Sequence, residues 1–339
     1  MHINEIDKSA EVEMMEQAGG TWSIVLAGGQ GVRTRAFIDR WLGSQLPKQY
    51  CTFVGRRSLL QHTVDRADRN SPATKRLTIV ARDRHEVAVA QLAGRGGHLL
   101  FQPGNRGTAA GVFLPLSRIR AVDPAATVVI YPADHFVWPE QQFEHAIRQA
   151  IEAGHAAPDH PILFGVVPDS AEGDYGWIVR MPGSADCETT RPIQRFREKP
   201  ATSEAATLLR AGGLWNTLVM VARVETLWEM GRQHLSDLVD RFDTWRPLIG
   251  TRHEAEALDT LYGDMPVQDF SRDLLERTAT QWRAFELRDV LWSDWGRPER
   301  IIQTLLTIGR VPAFCGRSSA DRSTLTGEAC LRSLELPVA

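Results

Sequence analysis

Two cations stand behind a run of glycines near the start of the chain, in TWSIVLAGGQGVRTRAF (residues 21–37). Gly28, Gly29 and Gly31 close an apolar stretch, Arg33 follows them, and Lys48 comes soon after in LPKQY. Backbone N–H groups with no Cβ in the way can approach phosphate oxygens closely. Arginine adds a planar fork and lysine a mobile point charge. The loop lacks the Gly-Lys-Ser/Thr of a Walker-type P-loop and the third glycine of a dinucleotide fingerprint. Two aspartates follow strand candidates further on, Asp134 in VVIYPADHF and Asp294 in DVLWSDWG. Triphosphate chemistry usually needs Mg²⁺, which takes one or two carboxylates together with phosphate oxygens and water. Taken singly, each aspartate is as good a cap for a turn. His135 adjoins Asp134, and strand alternation turns its side chain away from that neighbour, which makes it a structural residue. Glu198 and Lys199, in REKP, are by themselves an exposed ion pair worth about 0–1 kcal/mol.

Side chains so far apart in sequence need a frame that gathers them. Short apolar runs rich in Val, Ile and Leu occupy residues 22–27, 76–81, 98–102, 126–133, 161–167, 176–181, 218–223 and 284–290. Several are continuous rather than alternating, as suits strands covered on both faces. Amphipathic stretches at 58–69, 84–94, 107–121 and 139–154 lie between them. Pro139 and the acidic Glu140 suit a first helical turn, and Gly154 a C-terminal stop. Alternating strand and helix imply an α/β fold with a Rossmann-like, mostly parallel central sheet flanked by helices. From about 173 to 200 short strands and turns predominate, which reads as a small antiparallel insertion. Helices are expected over 201–212 and within 224–281. The divisions are an N-terminal extension (1–20), one main domain (21–310) and a C-terminal tail (311–339).

The chain has 339 residues, 43% apolar and 24% charged, with 39 Lys and Arg against 42 Asp and Glu. That balance excludes a general nucleic-acid binder, which carries a basic face, so any anionic ligand is held by a few placed cations. Cys51, Cys187, Cys315 and Cys330 show no CxxC pair or metal-ligand spacing and read as reduced thiols. The first twenty residues lack the basic start and apolar centre of a leader. No apolar run approaches the ~20 residues of a membrane span. The expectation is a cytoplasmic protein with neither nucleic acid nor membrane as a partner.

The blocks LAGGQGVR, LPKQY, SLLQHTVDR, FQPGNRGTAAGVFLPL, YPADHFVWPEQQF, FGVVPDSAEGDYGWI, RFREKP, LWNT and LWSDWG, in that order, resemble the sugar-phosphate nucleotidyltransferases, specifically the mannose-1-phosphate guanylyltransferase branch. The likeness covers most of residues 22–306. It implies that Leu26, Ala27, Gly28, Gly29, Gly31, Arg33, Arg106, Thr108 and Asp134 meet the nucleotide. It implies a sugar-phosphate pocket at Gly176, Glu198, Lys199 and Asn216, over which the antiparallel insertion lies. Asp134 and Asp294 become the paired Mg²⁺ ligands, and Arg33, Lys48, Asp134, Lys199 and Asp294 the catalytic set. The implied partners are GTP and a sugar 1-phosphate, with mannose 1-phosphate expected, and a second copy of the chain as a homodimer. Trp177 and Trp215 read as packing residues.

The chain also departs from the family pattern. Val32 replaces the Ser or Thr before the signature arginine, residues 33–48 differ from the usual segment, and Thr217–Leu218 stand where a small Ser-Gly pair is usual. The alternatives left open are another nucleoside triphosphate and sugar 1-phosphate pair, or an inactive relative that binds nucleotide-sugar as a regulator. The reaction implied is in-line attack by a sugar-phosphate oxygen on the α-phosphorus, with pyrophosphate leaving and no protein nucleophile.

Overall fold

The computed structural model describes residues 19–182 and 189–315. The N-terminal extension up to residue 18 and the tail from residue 316 lie outside the described residues. The strands are β1 Thr21–Ala27, β2 Arg76–Ala81, β3 His98–Gln102, β4 Thr127–Pro132, β5 Phe136–Trp138, β6 Ile162–Val166, β7 Gly176–Arg180, β8 Arg191–Glu198, β9 Leu214–Arg223, β10 Arg283–Leu287 and β11 Leu291–Ser293. The helices are α1 Arg35–Leu42, α2 Leu59–Asp68, α3 His85–Leu92, α4 Gly107–Val122, α5 Glu140–Ala156, α6 Thr202–Arg210, α7 Val224–His234, α8 Ser236–Trp245, α9 Glu254–Gly263 and α10 Pro298–Thr307.

Nine strands form the main sheet, in the order β3-β2-β1-β4-β9-β6-β10-β8-β7. The sheet is mixed. Strands β3, β2, β1 and β4 pair in parallel, as do β6 and β10, whereas β9 is antiparallel to both β4 and β6. β7 and β8 are antiparallel to each other, and they belong to this sheet rather than lying over it as a separate insertion. β7 also pairs back onto β9, so β9, β6, β10, β8 and β7 close a circuit of pairings. That circuit draws Gly176, Glu198 and Asn216 to one place: Gly176 pairs with Glu198, and Trp177 with Trp215.

One apolar cluster fills the face under α4, α7 and α8, with Phe113, Trp228 and Phe242 fully buried. A second covers the opposite face under α2 and α5, around Val64, Tyr131 and Ile147. α5 continues past Gly154 to Ala156. Gly154 is a packing position inside the helix, where a Cβ would come within 3.3 Å of Val221. A third cluster joins α1 to α10 through Phe37, Ile38, Phe53, Trp295, Ile301 and Phe314. Helix α1 occupies the stretch between Arg33 and Lys48, where the chain departs from the family pattern, and ends at Gly43 in a left-handed conformation. Cys51 is free and buried, and burial pushes its thiol up to about 12. Cys315 is disulfide-bonded, against the expectation of reduced thiols throughout. Among the described residues no helix is long and apolar enough to cross a membrane.

Candidate functional site

In open α/β sheets, ligands collect beyond the carboxyl ends of the parallel strands. β1 ends at Ala27 and delivers the glycine loop there. Gly31 is left-handed, with φ of 59°, and a Cβ on it would sit 3.3 Å from the Lys48 backbone nitrogen. The loop is therefore laid against the Lys48 turn at a spacing that a side chain would disturb. Gln49 fixes the same contact, donating from Nε2 to the carbonyls of Ala27 (3.0 Å) and Gly29 (2.7 Å). Sequence reasoning gave Gln49 no role, although it stands beside Lys48. Gly28 faces Gln102, whose Oε1 would be 2.8 Å from an added Cβ. Leu26 and Ala27 close the strand beneath.

The two aspartates meet because two very short strands pair. β5 begins two residues after Asp134 and β11 ends one residue before Asp294. They run antiparallel, with Ser293 opposite Phe136 and Trp292 opposite Val137. Continuing that register by one residue sets Asp294 beside His135. Phe136 and Trp295 stack behind the pair at 4.7 Å, locking the junction.

Lys48 joins the two carboxylate segments. Its buried Nζ lies 3.1 Å from Asp134 Oδ2 and donates to the main-chain oxygen of Asp294. The Asp294 carboxylate is itself buried. Its Oδ1 accepts from the Tyr175 hydroxyl (2.9 Å), the Gly296 N–H (2.9 Å) and Arg300 Nη1 (3.0 Å), while Oδ2 accepts from Arg33 Nη2 at 3.1 Å. The Arg33 side chain is 52% exposed and also lies 3.8 Å from Asp174. His135 does not point away from Asp134: its Nε2 is 3.6 Å from Oδ1 and its ring meets Trp292 edge-on. The strict alternation of a strand stops with β4 at Pro132, so it no longer governs residues 134 and 135.

Burial alone would raise both carboxyl pKa values. At Asp134 the Lys48 ammonium and the adjoining His135 together outweigh this and leave the group below the ordinary range. At Asp294 the Lys48 charge, the Gly296 N–H and the nearby cations hold the carboxyl well below it. Both are carboxylates at neutral pH. A depressed carboxyl contributes stability that is complete above its unfolded pKa of about 4 and is lost as pH falls through the folded value. Thermal stability should therefore drop on the acid side of about pH 4. Melting curves should show a shallower acid drop in Asp294→Asn than in the parent, and identical slopes would contradict the assignment.

Two ionised carboxylates are hard oxygen donors of the kind that Mg²⁺ takes. Among the described residues no group of three or more His, Cys, Asp and Glu side chains is arranged to hold a metal. A cation that keeps water and phosphate oxygens in its other positions fits such a sparse donor set, whereas a caged structural ion would not.

The expected sugar-side residues form a second cluster. A Cβ on Gly176 would lie 2.7 Å from the Phe196 ring, 2.8 Å from Glu198 Oε2 and 3.3 Å from Asn216 Cβ, so glycine lets these side chains close in on the backbone. Lys199 is left-handed (φ 45°), its Nζ is 2.7 Å from Glu198 Oε1, and its N–H donates to the Tyr175 carbonyl at 3.2 Å. Burial raises the Glu198 carboxyl despite that ammonium. Tyr175 thus touches both clusters. Leu218, in place of the usual glycine, adopts φ of 57° at a bulge in β9, and its N–H donates to Asn216 Oδ1 at 2.9 Å. Trp177 and Trp215 are buried and pack edge to face, as expected of core residues.

Arg106 and Thr108 sit at the start of α4 and are turned to the 262–270 segment. The Arg106 guanidinium donates to the carbonyls of Tyr262 (2.7 Å) and Gly263 (2.5 Å). Thr108 Oγ1 accepts from the Phe270 N–H at 2.8 Å. A Cβ on Gly107 would fall 2.1 Å from the Gln268 carbonyl oxygen, so only glycine permits this approach. For Arg106 to reach a phosphate or a base, it must leave two carbonyl partners.

Comparison with known proteins gives the family of the chain. The family model described as nucleotidyl transferase matches residues 22–309. The chain is 27% identical over 221 residues to the alginate biosynthesis protein AlgA of Pseudomonas fluorescens, covering 64% of this chain and 44% of that protein. It is 28% identical over 212 residues to the mannose-1-phosphate guanylyltransferase RfbM of Salmonella typhimurium, covering 60% and 42%. The chain thus spans less than half the length of these curated relatives. Among solved structures, one titled mannose-1-phosphate geranyltransferase from Thermus thermophilus superimposes with a TM-score of 0.71 at 26% identity, covering 84% of this chain and 78% of that one. The chain belongs to the nucleotidyl transferase family.

Proposed function

We propose that the protein transfers a guanylyl group from GTP to mannose 1-phosphate, giving GDP-mannose and pyrophosphate. The observation that carries this reading is the Lys48 ammonium, which contacts the Asp134 carboxylate and the Asp294 main chain beside the glycine loop. The likeness to a mannose-1-phosphate guanylyltransferase favours the guanylyl and mannose pair. Asp134 and Asp294 would hold Mg²⁺, which when bound offsets charge on the phosphate oxygens. In the reaction a phosphate oxygen of the sugar attacks the α-phosphorus, and the bond to the β-phosphate oxygen breaks on the opposite side.

The chain's own work is positioning and charge. The N–H groups of Gly28 to Gly31 face the triphosphate. Arg33, half exposed and paired with Asp294 and more distantly with Asp174, swings from them to the β,γ-phosphates. Lys48 and Lys199 cradle the reacting phosphates from the two clusters. Glu198 and Asn216 take the sugar hydroxyls. No side chain is required as a nucleophile.

Pyrophosphate release measured over a matrix of nucleoside triphosphates and sugar 1-phosphates, with Mg²⁺, tests the reading. The GTP and mannose 1-phosphate combination should exceed the others by about tenfold or more, since each mispaired hydrogen bond in a buried site costs on the order of 1–3 kcal/mol. A different preferred pair would correct the substrates. GTP binding with no turnover on any sugar phosphate would favour the regulatory alternative.

A further inference from the structure

The two oxygens of Asp294 are held in different ways. Oδ1 accepts three hydrogen bonds, from the Tyr175 hydroxyl, the Gly296 N–H and Arg300 Nη1, all within 3.0 Å. Among the described residues, Oδ2 is met only by the half-exposed Arg33 guanidinium. The Oδ1 partners form one connected unit. Arg300, at the start of α10, lays its guanidinium 4.5 Å above the Tyr175 ring and donates its second nitrogen to Glu172. Its side chain is only 18% exposed. Glu172 and Tyr175 both belong to the β6–β7 connection, so Arg300 pins that connection to Asp294. A Cβ on Gly296 would lie 2.6 Å from Oδ2, so the glycine keeps that oxygen clear.

We propose that Arg300, acting with Tyr175, is a positioning residue: it commits Oδ1 of Asp294 to the protein and presents Oδ2 to an incoming divalent cation. Arg33 and Arg300 therefore have opposite relations to the same carboxylate. Arg33 occupies the oxygen to be used and has to leave it, whereas Arg300 holds the other oxygen throughout. An arginine suits the task because its planar fork spans two carboxylates and its flat face stacks on tyrosine, neither of which a lysine does. Partners that orient a metal-ligating carboxylate typically matter by 10–100-fold in affinity. The inference rests on the reading of Asp294 as a cation ligand, so its test separates the two.

Mn²⁺ alone is titrated into the full chain, following loss of the free-ion EPR signal, with Asp294→Asn as the reference for the site. Arg300→Met should weaken the Asp294-dependent binding about tenfold, and Arg300→Lys should recover only part of it. Unchanged or tighter binding in Arg300→Met, as expected if the arginine merely competes for charge, overturns the inference and leaves the cation reading intact. Full recovery by lysine also overturns it. If the parent shows no Asp294-dependent Mn²⁺ site, the cation reading fails, and a crystal structure of Arg300→Met decides the positioning claim. A carboxylate turned away from Tyr175 supports the claim, and one left in place ends it. Should Arg300→Met fail to fold, Glu172→Met, which removes the acceptor of the second guanidinium nitrogen, takes its place with an expected loss of about threefold.

Discussion

Asp294→Asn abolishes turnover, lowering kcat by at least about 100-fold, while the protein stays folded. The reasoning follows the two oxygens. The amide oxygen of asparagine can still accept from Tyr175, Gly296 and Arg300, so the buried contacts on that side persist. The amide nitrogen replaces Oδ2, where it meets Arg33 as donor against donor and offers no ligand to a cation. Stability should fall by about 1–3 kcal/mol, because the Arg33 hydrogen bond is lost and the Lys48 and Arg300 cations lose a counter-charge while the hydrogen bonds on the Oδ1 side persist. Steady-state kinetics with a thermal melt checks both halves. Retained activity would remove Asp294 from the chemistry, and gross unfolding would make it a structural residue.

Lys48→Met is expected to cost both stability and activity. Its ammonium is buried and faces the Asp134 carboxylate, whose side chain is 32% exposed, together with the main-chain oxygen of Asp294. Removing one partner of a fully buried pair costs about 3–5 kcal/mol; water at Asp134 softens this to roughly 2–3. The lost cation also frees the end of the β11 segment, so kcat/KM should drop by about 100-fold or more. A double-mutant cycle gives the sharper result: Asp134→Asn should destabilise the parent but hardly affect Lys48→Met. Additive losses would mean that the two side chains act independently.

How much of this was legible in the sequence depended on signal length. Short apolar runs bounded by polar residues marked β2 and β3 to the residue, RLTIVA and HLLFQ. β5 and β11 were not marked, since FVW and LWS are three residues each and no periodicity is countable at that length. Those two strands bring Asp134 and Asp294 together, so the convergence had to come from family resemblance. β8 was expected only within the 173–200 stretch and without bounds, because RPIQRFRE buries only two of its eight residues and reads as polar. Helix α1 was missed because Phe37, Ile38 and Trp41 sit on a cluster that half depends on residues 295–315, which lie far away in sequence. Tyr175, Gln49 and Arg300 also escaped. The first two lay inside quoted motifs without a role, and Arg300 lies beyond the last block, where only the fold returns α10 to the site.

The central claim is that two distant carboxylates share one divalent cation. Anomalous diffraction from crystals grown with Mn²⁺ and GTP tests it most directly. A single peak on the order of 2 Å from an oxygen of Asp134 and an oxygen of Asp294, with Arg33 moved onto the phosphates, is the expected result. A peak bound to the phosphates alone, with Arg33 still on Asp294, would contradict it.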